Sequence, residues 1–386
     1  MQYYMHMVYR TFWIEEIKKR LNQRSILWLR GVRRSGKTFL CRSIEGVEYF
    51  DCELPSQRRF FQDPENALAR LKGKTVVLDE IHRLHNHSEL LKIAADYFPE
   101  TKIIATGSST LGASTKFKDT LIGRKRELLL VPMISLDLQY FENTNLEHRF
   151  FRGGLPPFFI SQRYVEEDYN EWLESFWAKD IQELFRVERR FSFLRFVEML
   201  TTQSGSMFEA TRFSAPCEVS RPTINNYLSI LEATSIVHVI RPFSSRKSSE
   251  IVSAPKVYAF DTGFVSFFKG WHRLRQDDMG LLWEHFVLTE IIARLQTQSI
   301  QYWRDKQGHE IDFIYQPRTG DPVTIECKYT DGNFSPRNLK AFRKRYPKGK
   351  NFVVISRLPR SYIKDFDGLE TEFVDLPGLI EALSGN

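Results

Sequence analysis

From residue 12 to about residue 140, short apolar runs alternate with stretches of helical periodicity. Ser25-Ile26-Leu27-Trp28-Leu29, Thr75-Val76-Val77-Leu78 and Lys102-Ile103-Ile104-Ala105-Thr106 are mostly apolar or β-branched, the pattern of strands covered on both faces. Phe39-Leu40-Cys41-Arg42-Ser43-Ile44 continues as a helix, and Leu130-Val131-Pro132-Met133-Ile134-Ser135-Leu136 reads as a last strand. This alternation predicts an α/β domain with a mainly parallel sheet. The Gly and Pro residues of Phe151-Arg152-Gly153-Gly154-Leu155-Pro156-Pro157 then mark a boundary. From Tyr164 to about Ser245 the pattern is mostly helical. There Ser220 predicts a helix cap, Pro222 sits in the first turn, and Ile224, Tyr227, Leu228 and Leu231 form the apolar stripe. Ile236-Val237-His238-Val239-Ile240-Arg241 follows as a strand. The last third predicts an amphipathic helix from about Gly280 to Leu295, then strands at Tyr302-Trp303-Arg304, Glu310–Tyr315 and Val323–Tyr329. The expected fold class is α/β in three domains: 1–145 with a parallel sheet, 146–250 helical with a winged-helix-like segment, and 251–386 again α/β.

Candidate chemistry begins in the turn after the first strand. Gly31-Val32-Arg33-Arg34-Ser35-Gly36-Lys37-Thr38 fits G-x-x-x-x-G-K-[ST] at every fixed position, in strand, loop, helix order. Such a loop points backbone N–H groups and a helix N-terminus at negative charge, which implies a nucleoside triphosphate. The expected ATP contacts are Gly31, Arg33, Arg34, Ser35, Gly36, Lys37, Thr38 and Phe39, with Lys37 on the β- and γ-phosphates and Thr38 on Mg²⁺. The next strand ends in Asp79-Glu80, where Asp79 would bind Mg²⁺ and Glu80 would act as general base on water. Thr106 or Ser108, at the tip of the third strand, is placed to sense the γ-phosphate. Arg124, in Leu121-Ile122-Gly123-Arg124-Lys125-Arg126, is the candidate to offset phosphoryl charge, in a neighbouring subunit or in its own.

Composition narrows the class without naming a function. At 42% apolar and 27% charged residues the chain has the balance of a globular protein, and 386 residues exceed one ordinary core. No apolar run approaches a membrane span, and Met1–Met7 lacks a secretory pattern, so the cytoplasm is the expected compartment, with no membrane partner. Cys41, Cys52, Cys217 and Cys327 are scattered without metal-ligand spacing and are expected to be structural. A net charge of +7 allows a polyanionic partner, DNA above all.

Two further patterns bear on that partner. The helix after Ser220 resembles the second helix of a winged helix-turn-helix, with Arg221, Asn225 and Asn226 on its polar face. Such a segment reads DNA or docks a protein. In the last third, Asp312 is followed fourteen positions later by Glu326-Cys327-Lys328 on the next strand. Two carboxylates about Mg²⁺, with Lys328 on the same strand face as Glu326, would suit phosphodiester chemistry, and Glu284 on the preceding helix would be a further metal ligand. The same charges also suit an inactive site that binds DNA or a protein partner.

Taken together, Gly31–Thr38, Leu78-Asp79-Glu80-Ile81, Ala105–Ser109, Gly123-Arg124, Gly153-Gly154-Leu155-Pro156, Tyr258–Gly263, Trp283-Glu284, Glu310–Phe313 and Glu326-Cys327-Lys328 resemble a prokaryotic AAA-type ATPase family whose C-terminal domain is similar to restriction-endonuclease folds. Arg33-Arg34 within the loop is especially specific to it; Val32 and Leu136-Asp137-Leu138 depart from it. The resemblance implies ATP and Mg²⁺ binding. It leaves open whether the last domain cleaves DNA, whether the chain forms a homo-oligomer, and whether it acts instead as a nucleotide-dependent switch on a protein partner.

Overall fold

The computed structural model describes residues 8–107, 121–244, 254–297, 299–332 and 334–385. The chain forms two compact units and passes between them repeatedly. The first contains the described residues up to Asn145 together with Gly154–Arg190 and Leu228–Ile236; the second contains Leu146–Gly153, Phe191–Tyr227 and the chain from Val237 onward.

In the first unit, strands β1 (Ile26–Arg30), β2 (Val47–Asp51), β3 (Thr75–Asp79), β4 (Lys102–Thr106) and β5 (Lys125–Leu129) form a parallel sheet in the order β2-β3-β4-β1-β5. β1 and β3 are apolar because both sheet faces are covered. One face packs Trp28, Val76, Leu78 and Ile103 against Leu68, Leu90, Leu91 and Ala94 of the helices that follow β2 and β3. The helix Thr11–Leu21 lies along β1 and β5 and buries Trp13, Ile17 and Leu21. Pairing of Asp51 with Asp79 and of Leu29 with Thr106 brings the carboxyl ends of four strands to one edge, where ligands of open parallel sheets bind. The last strand is β5, not the expected Leu130–Leu136 run, which instead leads into the helix Ser135–Tyr140.

In the second unit, β6 (Ser206–Met207), β7 (Val237–Pro242), β8 (Lys256–Ala259), β9 (Ile300–Arg304), β10 (Glu310–Tyr315), β11 (Val323–Lys328), β12 (Asn351–Ile355), β13 (Tyr362–Asp365) and β14 (Glu370–Val374) form a sheet in the order β13-β14-β12-β11-β10-β9-β7-β8-β6. β6 and β7 both pair antiparallel with β8. The helices Arg190–Thr202, Ala210–Ser214 and Arg221–Ala233 precede β7 in the chain, and Ser220 caps the last by accepting the Thr223 N–H at 3.3 Å. Arg221, Asn225 and Asn226 are exposed on it.

The helix Gln276–Leu295 differs from the amphipathic expectation, since it is buried nearly all round from Met279 to Ala293. Its Trp283 indole donates to the Val354 carbonyl at 3.1 Å, fixing it to β12. All four cysteines are buried free thiols. Among the described residues no helix is long and apolar enough to cross a membrane.

Candidate functional site

Between β1 and the helix Lys37–Arg42 the chain makes the expected phosphate loop. Gly36 stands at φ 96° to turn the backbone into the helix, a conformation only glycine adopts without cost. Lys37 Nζ donates to the loop's own Gly31 and Val32 carbonyls at 2.7 and 3.0 Å. Burial lowers its pKa, against the attraction of Glu80, Asp180 and Asp79. Ser35 Oγ is buried without a hydrogen-bond partner, an orphaned donor of the kind a phosphate oxygen would satisfy. Phe39 is 63% exposed on the first turn of the helix.

Thr38 Oγ1 donates to Asp79 Oδ2 at 2.8 Å, so the hydroxyl of the loop and the carboxylate of β3 meet as a hard-oxygen pair. This pair fits Mg²⁺, which prefers oxygen ligands and completes its shell with water and phosphate. Two neighbours that sequence reasoning had not assigned there hold Asp79. Tyr49 of β2 donates to it at 2.5 Å, and Thr106 of β4 donates to its other oxygen. The polar tail of the Val47–Asp51 run was the only sequence signal for Tyr49. Thr106 Oγ1 also accepts the Glu80 N–H at 3.3 Å, so one hydroxyl ties β4 to both acids. Ser108 lies outside the described residues.

Glu80 takes the left-handed conformation, φ 53°, directly after the strand. Burial pushes its pKa up, but His82 and Lys37 outweigh it and hold the carboxyl below its ordinary value. His82 Nδ1 is 3.2 Å from Glu80 Oε2, an ion-pair distance.

The two arginines of the loop are engaged by the helical stretch 166–182 of the same unit. Arg33 pairs with Asp180 at 3.1 Å, Arg34 with Glu171 at 2.5 Å, and the Trp172 indole donates to the Arg33 carbonyl at 3.1 Å. Asp180 lies in a π-helical turn, Trp177–Gln182, a distortion common at functional sites. Asp137, at the apparent departure from the family pattern, is fully buried and binds Arg10 through both oxygens at 2.8 Å. Arg10 in turn donates to the Ser35 carbonyl at 3.1 Å, bracing the loop from behind.

Arg124 does not join this site. It precedes β5, whose Lys125 pairs with Ile26 at the start of β1, whereas the loop follows Arg30. Five residues of strand put roughly 16 Å between the two ends. Arg124 binds Asp96 at 2.7 and 3.0 Å, so action in its own chain's site is ruled out by the register.

The second unit gathers the other candidates. The antiparallel register Phe313↔Ile325 sets Asp312 of β10 beside Glu326 of β11, and a bulge between Ile311 and Ile314 re-aims Asp312. Glu326 and Lys328 share a face and pair at 3.2 Å. Burial, then Asp312, pushes the Glu326 carboxyl up to about 8; the same two causes push Glu284 up to about 7.

The expected ligands Asp312, Glu284 and Glu326 face one another closely enough for their charges to couple. Among the described residues no three His, Cys, Asp or Glu side chains converge to hold an ion. One oxygen of each carboxylate is held within the cluster. Asp312 Oδ2 accepts the Cys327 N–H at 2.8 Å, Glu284 accepts from Tyr258, and Lys256 lies 3.7 Å from Glu284 and pairs with Glu310. Lys256 and Tyr258 were missed because they sit in an apolar run, Lys256–Phe260, that reads as an ordinary buried strand.

Comparison with known proteins accords with the first unit. Residues 23–137 match a family described as AAA domain, while residues 143–275 and 279–369 match two domains of unknown function, DUF8612 and DUF4143. Uncharacterized proteins of Mycobacterium bovis and Mycobacterium tuberculosis are each 26% identical over 343 residues, covering 84% of this chain and 75% of their own length. Among solved structures, a Walker-type ATPase of Pyrococcus abyssi aligns with 68% of this chain and 96% of its own at 15% identity and a TM-score of 0.45. A DNA polymerase III gamma subunit-related protein of Thermotoga maritima aligns with 59% and 97% at 12% identity and a TM-score of 0.26. The family match and the loop geometry together make residues 23–137 an AAA-type P-loop ATPase domain.

Proposed function

We propose that this protein is a Mg²⁺-dependent ATPase that couples nucleotide turnover to DNA binding. The observation that carries the first half is Thr38 Oγ1 at 2.8 Å from Asp79, with Glu80 next in the chain. Bound Mg²⁺ would offset charge on the β- and γ-phosphates, with Thr38 and Asp79 as the residues to hold it. Lys37 would exchange the Gly31 and Val32 carbonyls for phosphate oxygens. Glu80, kept ionised by His82 and Lys37, would accept the proton of the attacking water. ATP turnover and nucleotide binding test this assignment. Lys37→Ala should lose both, whereas Glu80→Gln should keep binding and lose turnover by about 100-fold or more. Wild-type turnover in Lys37→Ala would sink it.

Three features support DNA as the partner. Arg221, Asn225 and Asn226 are exposed on a helix in the chain order helix-strand-helix-helix-strand-strand that winged helices use. A groove of about 540 Å³ in the first unit is lined by Arg58, Arg83 and His85 beside Glu53. The chain carries +7. Lys256 pairs with Glu284 and Glu310 and Lys328 with Glu326, and we assign that cluster to contacting DNA ahead of cleaving it. DNA affinity should fall steeply as salt rises. Absence of binding at low salt, with ATP turnover indifferent to DNA, would favour instead a nucleotide-dependent switch that docks a protein partner.

A further inference from the structure

The positive charge of this chain has one address. The chain holds 55 Lys and Arg against 48 Asp and Glu; residues 337–350 contain seven of those bases and none of the acids, so the remainder of the chain is neutral. In the second unit this stretch is the helix Arg337–Arg343 and the loop that leads from it into β12. The helix turns Leu339 and Phe342 inward, against Trp303, Ile311 and Ile314. That leaves Arg337, Lys340 and Lys344, three and four positions apart, as its exposed stripe. Arg345, Lys348 and Lys350 are exposed beyond it. Arg337 donates to the His309 ring at 3.2 Å, Lys340 pairs with Asp367 at 2.5 Å, and Arg345 lies over the Trp303 ring, 5.9 Å from its centre. Among the described residues no carboxylate stands within ion-pair distance of Lys344, Arg345, Lys348 or Lys350.

A run of bases is ordinarily a solvated face, but the fold fixes this one in place. The seventh base, Arg343, is buried, and its guanidinium donates to the carbonyls of Tyr346, Lys348 and Lys350 and to Asn351 Oδ1 at 2.6 Å. One buried cation thus clasps the backbone of the loop from which Lys348 and Lys350 project. Gly349 between them stands at φ 110°, and a Cβ there would lie 2.1 Å from the Pro322 carbonyl oxygen, so the path of the loop requires glycine. We propose that residues 337–350 form the principal phosphate-binding surface of the second unit, which grips the backbone of duplex DNA irrespective of base sequence. Ammonium and guanidinium groups without carboxylate partners are free to replace the counter-ions of a phosphodiester chain, and contacts of that kind position a protein without reading bases. A membrane or a protein partner would call for apolar or aromatic side chains at the centre of the patch. The apolar residues here, Leu339 and Phe342, are instead fully buried in the unit's own core. This inference deepens the DNA reading above and rests on it.

The test is binding of a fluorescein-labelled DNA duplex of about 30 base pairs by the full chain, read by anisotropy from about 50 to about 250 mM salt. A protein carrying Lys344→Gln, Lys348→Gln and Lys350→Gln together should bind at least about ten-fold more weakly than wild type at low salt, and its slope of log affinity against log salt should be shallower by about 2 to 3. None of the three ammonium groups makes a hydrogen bond among the described residues, so the thermal midpoint should stay at the wild-type value. A control that loses the same charge from exposed positions elsewhere, Lys18→Gln with Lys19→Gln and Lys72→Gln, should stay within about two-fold of wild-type affinity. Wild-type affinity and slope in the first variant, or an equal loss in the control, would overturn the surface and leave the DNA reading standing. A wild-type protein that binds no duplex at low salt brings down the reading and the inference together. Capture by phosphatidylserine vesicles in place of DNA, or a preference of about ten-fold for duplex RNA, would overturn the inference in favour of those ligands.

Discussion

Thr106 shows how one side chain can organise a site it does not complete chemically. Its hydroxyl donates to Asp79 and accepts the Glu80 N–H, so a strand end two positions away in the sheet order from β2 controls both acids. Thr106→Val keeps the shape and removes the hydroxyl, leaving Asp79 and the Glu80 backbone each short of a partner. Turnover should fall by about ten- to a hundred-fold with nucleotide affinity nearly unchanged, as steady-state kinetics beside a binding titration will read. Asp180 works in the other direction, holding Arg33 and placing negative charge near Lys37, where the triphosphate must come. Asp180→Asn should therefore tighten nucleotide binding by about five-fold, a modest Coulombic gain at a partly solvated site. In the second unit the carboxyls of Glu284 and Glu326 are raised from 4.5 to about 7 and about 8. A raised carboxyl favours the folded state while protonated, so stability should be highest at low pH in this window and fall as pH rises from 4.5 through about 8. Thermal unfolding of Glu326→Gln across that range should show a flatter profile than wild type.

At the scale of elements, what could be read in advance depended on whether a motif carries its own local physics. The phosphate loop did, because a glycine at positive φ before a helix is dictated by the chain itself, and so did the β-branched run ending in Asp79-Glu80. The expected strand at Leu130–Leu136 was not legible, since apolar content marks burial while strand identity depends on a partner. β5, with the polar sequence Lys125-Arg126-Glu127-Leu128-Leu129, is a strand because it pairs with β1. The helix Gln276–Leu295 looked one-sided in sequence, yet the covering sheet and neighbouring elements bury the rest of it. Asp312, Glu326 and Lys328 were readable from spacing; the pairing of Lys256 with Glu284 and Glu310 was not, because the place of β8 in the sheet is set by the fold. Gly153 is the corresponding case for a turn. Read as a boundary, it also packs within the second unit, where a Cβ at its φ of 83° would lie 2.0 Å from Asp261 Oδ1. Arg149 binds the same segment through Thr262 at 2.9 Å. Gly153→Ala should destabilise that unit by roughly 2–4 kcal/mol, visible as an early transition in calorimetry.

For the whole molecule, Arg124 stands at the opposite end of the sheet from its own phosphate loop, paired with Asp96. If neighbouring copies do complete each other's sites, Arg124→Ala and Lys37→Ala proteins should each be inactive alone. Mixed, they should regain part of the turnover, because some contacts then pair an intact loop with an intact arginine. Activity of Arg124→Ala equal to wild type would dispose of the idea. The interleaved chain path has a practical meaning for dissection. A piece beginning near residue 251, where the sequence suggests a self-contained C-terminal domain, would lack β6 and β7 and so strip both neighbours from β8 and one from β9. Lys256 would then lie on a strand with no partner in the sheet, open to water and to other chains, and any metal or DNA affinity that this strand gives such a fragment would describe a site that the intact protein never presents.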